Sequence, residues 1–80
     1  MKIKILAFGI VKDIFQSPRK ELEIMDHADV ATLKKVLEQN YPELKRLKTY
    51  FIAVDQEYAT GPEILNAQQE IAIIPPVSGG

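Results

Sequence analysis

Ile71-Ala72-Ile73-Ile74-Pro75-Pro76-Val77-Ser78-Gly79-Gly80 closes the chain, and its reading organises everything before it. Ile71 to Ile74 is a short β-branched run of the kind that fills the middle of a sheet. Pro75 and Pro76 then remove two backbone donors and fix φ near the polyproline value, so a ladder cannot continue through them. Ile74 is held extended because it precedes a proline. Beyond this stiff collar lie Val77, Ser78 and two glycines. Four residues reach at most about 13–14 Å when fully extended. Glycine carries no Cβ, so such a tip fits a slot too narrow for other residues. What it would present there is the α-carboxylate of Gly80. The expected division is a domain over residues 1–76 and a thin tail over 77–80.

Working outward from that last strand, Lys2 to Phe8 alternates as a first strand, with Ile3, Ile5 and Ala7 on one face. After Gly9, residues Ile10 to Gln16 have about two turns of helical character, with Ile10 and Ile14 inward and Val11 or Phe15 as further candidates. Ser17-Pro18-Arg19 is a turn, and Lys20 to Met25 alternates again as a second strand. Asp29 is placed to cap a helix whose apolar stripe is Val30, Leu33, Val36 and Leu37, with Lys34, Lys35 and Glu38 facing out. Asn40 suits a left-handed helix end, and Pro42 forbids continuation. Pro42 to Lys48 reads as a short second helical segment with Leu44 and Leu47 tucked in. Tyr50 to Val54 is a third strand, and Asp55-Gln56-Glu57 turns tightly into Tyr58 and Ala59. A loop through Gly61-Pro62 and Asn66 to Gln69 leads back to the final strand. One main helix across one face of a mixed sheet is the economical architecture for this order at this size. The expected fold is therefore α+β, a β-grasp or ubiquitin-like roll, with the first and last strands parallel and adjacent in the middle.

Composition narrows the function. The sequence has 80 residues, 46% hydrophobic and 26% charged, with a net charge of −1. That is one domain, with no electrostatic footprint for nucleic acid or an anionic membrane. No apolar run approaches the roughly 20 residues of a membrane span, and no signal peptide is evident, so the expected compartment is the cytoplasm. Cysteine is absent, which excludes disulfides, thiolate metal sites and a persulfide carried on this chain.

Conventional catalytic groups are scarce. His27 is the sole histidine and sits in a polar loop before the helix, where Asp26 and Asp29 cap and orient the helix start. Lys45, Arg46 and Lys48 form a small basic run that reads as a solvated face. Asp13, Glu21, Glu23 and Glu43 are dispersed. No phosphate loop, nucleophile elbow or metal-spacing motif occurs, and no bound cofactor or metal is expected. The Gly80 carboxylate is the group placed for chemistry. A carboxylate is ionised at pH 7 and is a poor acyl donor, so a partner must activate it, and adenylation by ATP is the standard route. A sulfur donor, a cysteine or a lysine could then attack the acyl carbon unobstructed by any side chain at Gly79 or Gly80.

A single helix covers one sheet face only. With Ile3 and Ile5 toward the helix, Leu6 and Phe8 point away; with Ile71 and Ile73 toward it, Ile74 points away. Phe8, Ile74 and Tyr58 would then form an apolar patch near the tail, large enough to suggest a partner surface. A different reading for Phe8 is that it folds over the Ile10–Gln16 segment as core.

Pro75-Pro76-Val77-Ser78-Gly79-Gly80, with Phe8-Gly9-Ile10, Lys12-Asp13-Ile14 and Ala53-Val54-Asp55-Gln56-Glu57-Tyr58 in support, resembles the MoaD/ThiS family of ubiquitin-like sulfur carriers, on the side of the small subunits of molybdopterin synthases. The resemblance spans essentially the whole chain. It implies that an ATP-dependent, ubiquitin-activating-like adenylyltransferase adenylates Gly80, which becomes a thiocarboxylate. It further implies that the tail enters the large catalytic subunit of a heterotetramer, where sulfur is donated to cyclic pyranopterin monophosphate, and that Phe8, Tyr58 and Ile74 contact both partners. Asp55 stands where the family usually has Asn, and Asn66-Ala67-Gln68-Gln69 replaces a more usual Gly-Asp turn. The alternatives are a sulfur carrier for thiamine thiazole synthesis, a ubiquitin-like protein modifier, and a plain interaction domain with an inert tail.

Overall fold

The computed structural model describes residues 1–47 and 49–76. Strand β1 (Lys2–Ala7) leads into helix α1 (Gly9–Phe15), and β2 (Arg19–Glu23) returns antiparallel beside β1. Helix α2 (Val30–Asn40) and a 3-10 turn (Pro42–Arg46) follow, then β3 (Phe51–Val54), β4 (Glu57–Tyr58) and β5 (Ile71–Ile74). The sheet order is β2-β1-β5-β3-β4, with β5 parallel to β1 and antiparallel to β3. This is the expected β-grasp arrangement, with the first and last strands side by side at its centre.

The core lies between one sheet face and α2. Ile3, Ile5, Ile52, Ile71 and Ile73 are buried from the sheet, and Val30, Leu33 and Leu37 from α2. Val36, the fourth residue of the expected stripe, is half-buried at its margin. Helix α2 starts where capping chemistry dictates: the Asp29 carboxylate accepts from the Thr32 N–H at 2.8 Å. That hydrogen bonding from Thr32 holds the Asp29 carboxyl below its ordinary range.

Three local expectations change. In α1 the buried residues are Val11 and Phe15, Ile14 is half-buried, and Ile10 is 46% exposed. The helix is only two turns long, and Gly9 enters it at φ +55°, which sets its rotation independently of any stripe. Phe15 then fills the space against Tyr41, with ring centroids 4.5 Å apart. Left-handed Gln16 closes this helix (φ +59°), with Ser17 N–H donating to the Lys12 carbonyl at 3.2 Å, as in a Schellman end.

Asn40 is not left-handed. It stays within α2, and Tyr41 ends the helix at φ −133°, ψ 79°, because the residue before Pro42 is pushed out of the helical region. Glu38 does not simply face water either: its Oε2 accepts from the Tyr50 hydroxyl at 2.6 Å. Burial, reinforced by that carboxylate, pushes the Tyr50 phenol well above its ordinary value. The pair ties the root of β3 to α2.

The β3–β4 connection is a two-residue hairpin, with Val54 opposite Glu57 and both Asp55 (φ +51°) and Gln56 (φ +70°) left-handed. Those angles define a type I′ turn, whose twist matches the strands. Asp55 also reaches the root of β5: its N–H donates to the Glu70 carbonyl at 2.8 Å and its Oδ1 accepts from the Glu70 N–H at 2.9 Å. Aspartate thus performs a turn role here, and the Asn66–Gln69 turn closes on itself through Gln69 Oε1, which accepts from Asn66 N–H at 2.8 Å.

Candidate functional site

Register assigns the side chains of the uncovered face. Ile52 and Ile73 are opposite each other and both buried, so Phe51 opposite Ile74 and Ala53 opposite Ala72 lie on the other side. Leu6 pairs with Ala72 and Tyr58 with Ala53, which places them on that same side. Phe8 lies one residue past Ala7, whose partner is Ile73, so it continues toward Ile74. Two rows result: Phe8, Ile74 and Phe51 at the end where the chain leaves the sheet, and Leu6, Ala72, Ala53 and Tyr58 behind them. Farther from the exit the face turns polar, with Lys2 opposite Glu23 and Lys4 opposite Glu21.

The three residues expected to form the patch are all on this face. Phe8 is 49% exposed, which settles against its folding into the core; Tyr58 is 66% exposed and Ile74 is half-buried. Alternation did not reveal Phe51, which is 44% exposed and whose ring centroid lies 5.3 Å from that of Tyr58. A directly opposed Tyr58, with the Phe51 ring against it, accounts for Ala53 being only 4% exposed although it faces outward. The signal for Phe51 was its place in a strand of four apolar residues: once Ile52 is assigned inward, Phe51 must face out.

The exit itself is built by Gly9 and Pro75. A Cβ placed on Gly9 would sit 3.1 Å from Pro75 Cγ, so the left-handed start of α1 and the first collar residue are in close approach. Glycine suits the position on both counts, the positive φ and the proximity. Pro75 and Pro76 follow β5 directly, each half-buried. The remaining candidate residues, Val77, Ser78, Gly79 and Gly80, lie outside the described residues, as does Lys48.

The loop after Tyr58 is held by a carboxylate. Ala59 N–H donates to the Ile52 carbonyl at 2.8 Å, and Glu63 then accepts from Thr60 N–H at 2.8 Å and Gly61 N–H at 2.7 Å. The backbone N–H groups of Thr60, Glu63 itself and Gly61 lower the Glu63 pKa to about 2. This clasp fixes the segment that carries the Tyr58 ring.

The other candidates are not brought to this face. His27 is exposed at φ +65° in the loop before α2. Lys45 and Arg46 are exposed on the 3-10 turn. Among the described residues no group of three or more His, Cys, Asp or Glu is arranged to hold a metal ion. No helix among them is long and apolar enough to cross a membrane. The face can therefore bind, and it can position whatever follows Pro76.

Comparison with known proteins agrees with this geometry. The chain is 34% identical to the molybdopterin synthase sulfur carrier subunit of Caenorhabditis elegans, over 100% of this chain and 99% of that protein. It is 35% identical to the protein of the same name from Mycobacterium tuberculosis, with the same coverage. In three dimensions it is similar to SAMP1 from Haloferax volcanii, with a TM-score of 0.83, 22% identity and 100% of both chains covered. The model of the ThiS family matches residues 5–80. This chain belongs to the ThiS family.

Proposed function

We propose that the protein is the sulfur carrier of a molybdopterin synthase and acts in the cytoplasm through the carboxylate of Gly80. The observation that carries this reading is the exit of β5: a central strand, paired on both sides, stops at Pro75-Pro76 beside an exposed aromatic face. Two full-length relatives with that name support it.

The chemistry runs in two stages, both on partners. An ATP-dependent adenylyltransferase joins a carboxylate oxygen to the α-phosphorus of ATP, and pyrophosphate leaves. A sulfide equivalent then attacks the acyl carbon and AMP departs, leaving a thiocarboxylate. In the large subunit the thiocarboxylate sulfur forms a C–S bond on cyclic pyranopterin monophosphate, and an oxygen substituent leaves that carbon. Water attacks the acyl carbon, so that the acyl C–S bond breaks and the carboxylate is restored. The carrier supplies position: docking the uncovered face converts attack on the tail into an effectively intramolecular event.

The test is the intact mass of the protein after incubation with the activating enzyme, ATP and a sulfide source. The expected result is a gain equal to one sulfur replacing one oxygen, absent in a variant lacking Gly80. Lysine-linked conjugates without a thiocarboxylate would overturn the reading in favour of a protein modifier.

A further inference from the structure

The apolar part of the uncovered face extends beyond Phe8, Tyr58 and Ile74 to a further aromatic ring. Phe51 lies directly opposite Ile74 on the neighbouring strand and holds its ring 5.3 Å from that of Tyr58. It thereby joins the end of β5 to the edge of the sheet. Its sequence neighbours Tyr50 and Ile52 are both buried, while Phe51 is absent from the core cluster. The ring is exposed without a role in packing α2.

We propose that Phe51, backed by the Tyr58 ring, is the anchor that sets the affinity of this subunit for the large subunit that receives its tail. The inference rests on the sulfur-carrier reading. Its occupant follows from where the chain leaves the structure. On that reading the acceptor meets Gly80, four residues beyond Pro76, and those residues span at most about 13–14 Å. An acceptor site within that distance requires the acceptor's body to rest on the surface around the exit. That surface is the row Phe8, Ile74 and Phe51, with Tyr58 behind. The charged positions Lys2, Lys4, Glu21 and Glu23 lie toward the opposite end of the face, and Arg19, opposite Leu6, stands on the edge strand β2, on the far side of the sheet from Phe51 and Tyr58. Phe51 ends the apolar row beside Ile74 and is backed by the Tyr58 ring in the row behind. This leaves it the least exposed of the three rings, at 44% against 49% for Phe8 and 66% for Tyr58. A ring partly enclosed by apolar neighbours is the kind that anchors an interface. Aromatic rings there bury a large area at little rotamer cost.

The test compares the wild-type subunit with Phe51→Ala and Phe51→Thr in equilibrium binding to the purified large subunit, with a Lys45→Ala control. Threonine preserves strand preference while removing the ring. Both Phe51 variants should bind roughly tenfold or more weakly, with the control unchanged and folding cooperative in every case. Phe51 variants that bind within twofold of wild type would overturn the anchor and leave the sulfur-carrier reading standing. Variants of both kinds that fail to fold would make Phe51 a structural residue, which also overturns it. A wild-type subunit that does not bind the large subunit at all would remove both proposals together.

Discussion

Ile73 and Ile74 are adjacent, chemically identical and separated only by the pleat, so truncating each in turn tests the assignment of the two sheet faces. Ile73 is 0% exposed and faces α2. Ile→Ala removes three carbons; at about 0.8 kcal/mol per buried methylene this is about 2.4 kcal/mol. The residual cavity raises the cost of Ile73→Ala to about 3–4 kcal/mol. A chain of this size is stable by roughly 4–12 kcal/mol, so the variant should remain folded with a melting temperature lowered on the order of 20 °C. Ile74 is half-buried on the other face, and the same carbons there are already partly in water. Ile74→Ala should cost about 1 kcal/mol and lower the melting temperature by roughly 4–8 °C. The functional order is reversed: Ile74→Ala should weaken binding to the large subunit, whereas Ile73→Ala should bind normally below its melting point. Thermal and urea unfolding followed by circular dichroism, with binding measured on the same preparations, give both numbers. Equal destabilisation by the two variants would refute the reasoning, because the exit face would then be core.

Two other expectations follow from the loops that frame this face. Gln56→Gly should stabilise the protein by about 0.5 kcal/mol, since a non-glycine residue in the left-handed region costs about 1–2 kcal/mol and the entropy of glycine returns part of that, about 0.5–1 kcal/mol. The check is a small rise in melting temperature, and a fall would contradict the type I′ turn. Glu63→Gln should lower the melting temperature at pH 7, by an amount that shrinks in acid. The carboxylate is held at about 2 in the fold, against about 4.3 in an unfolded chain, so its contribution is complete above about 4.3 and is lost as pH falls through about 2. Melting curves of both proteins from neutral pH to pH 2 should converge at the acidic end; a constant gap would mean that the clasp acts through shape and not charge.

Much of this was legible in sequence because the decisive signals are local. Two-residue alternation in Lys2 to Phe8 puts Ile3 and Ile5 on the covered face and Leu6 and Phe8 on the other. Asp29 before a helical stripe marks the start of α2, and Pro75-Pro76 marks the end of β5. What escaped depended on surroundings. Phe51 sits in a strand whose four residues, Phe51 to Val54, are all apolar, so there is no polar face to set the phase. Helix α1 is seven residues long, too short for its stripe to be phased before the left-handed Gly9 is known. Asn40 and Tyr41 competed for the end of α2, and the proline two residues on decided in favour of Tyr41. In each case the determinant lay in the partner strand, the entry dihedral or the following ring.

The same geometry bears on how this domain would present an atom carried on its tail. Holding an extended chain in a narrow channel costs about 1–2 kcal/mol per residue in backbone entropy, and something must offset it. A tail on a fraying edge strand would add the disorder of its own root. Here the root is fixed instead: β5 is hydrogen-bonded to β1 on one side and β3 on the other. Prolines stop the ladder at one place, and Pro75 packs where a side chain at Gly9 would otherwise stand. On the proposed reading the offsetting energy is that of burying the aromatic face beside that exit. Fixed root and sticky face are thus one device, and this is why the largest exposed rings, Phe8, Phe51 and Tyr58, gather at the end of the sheet where the chain departs.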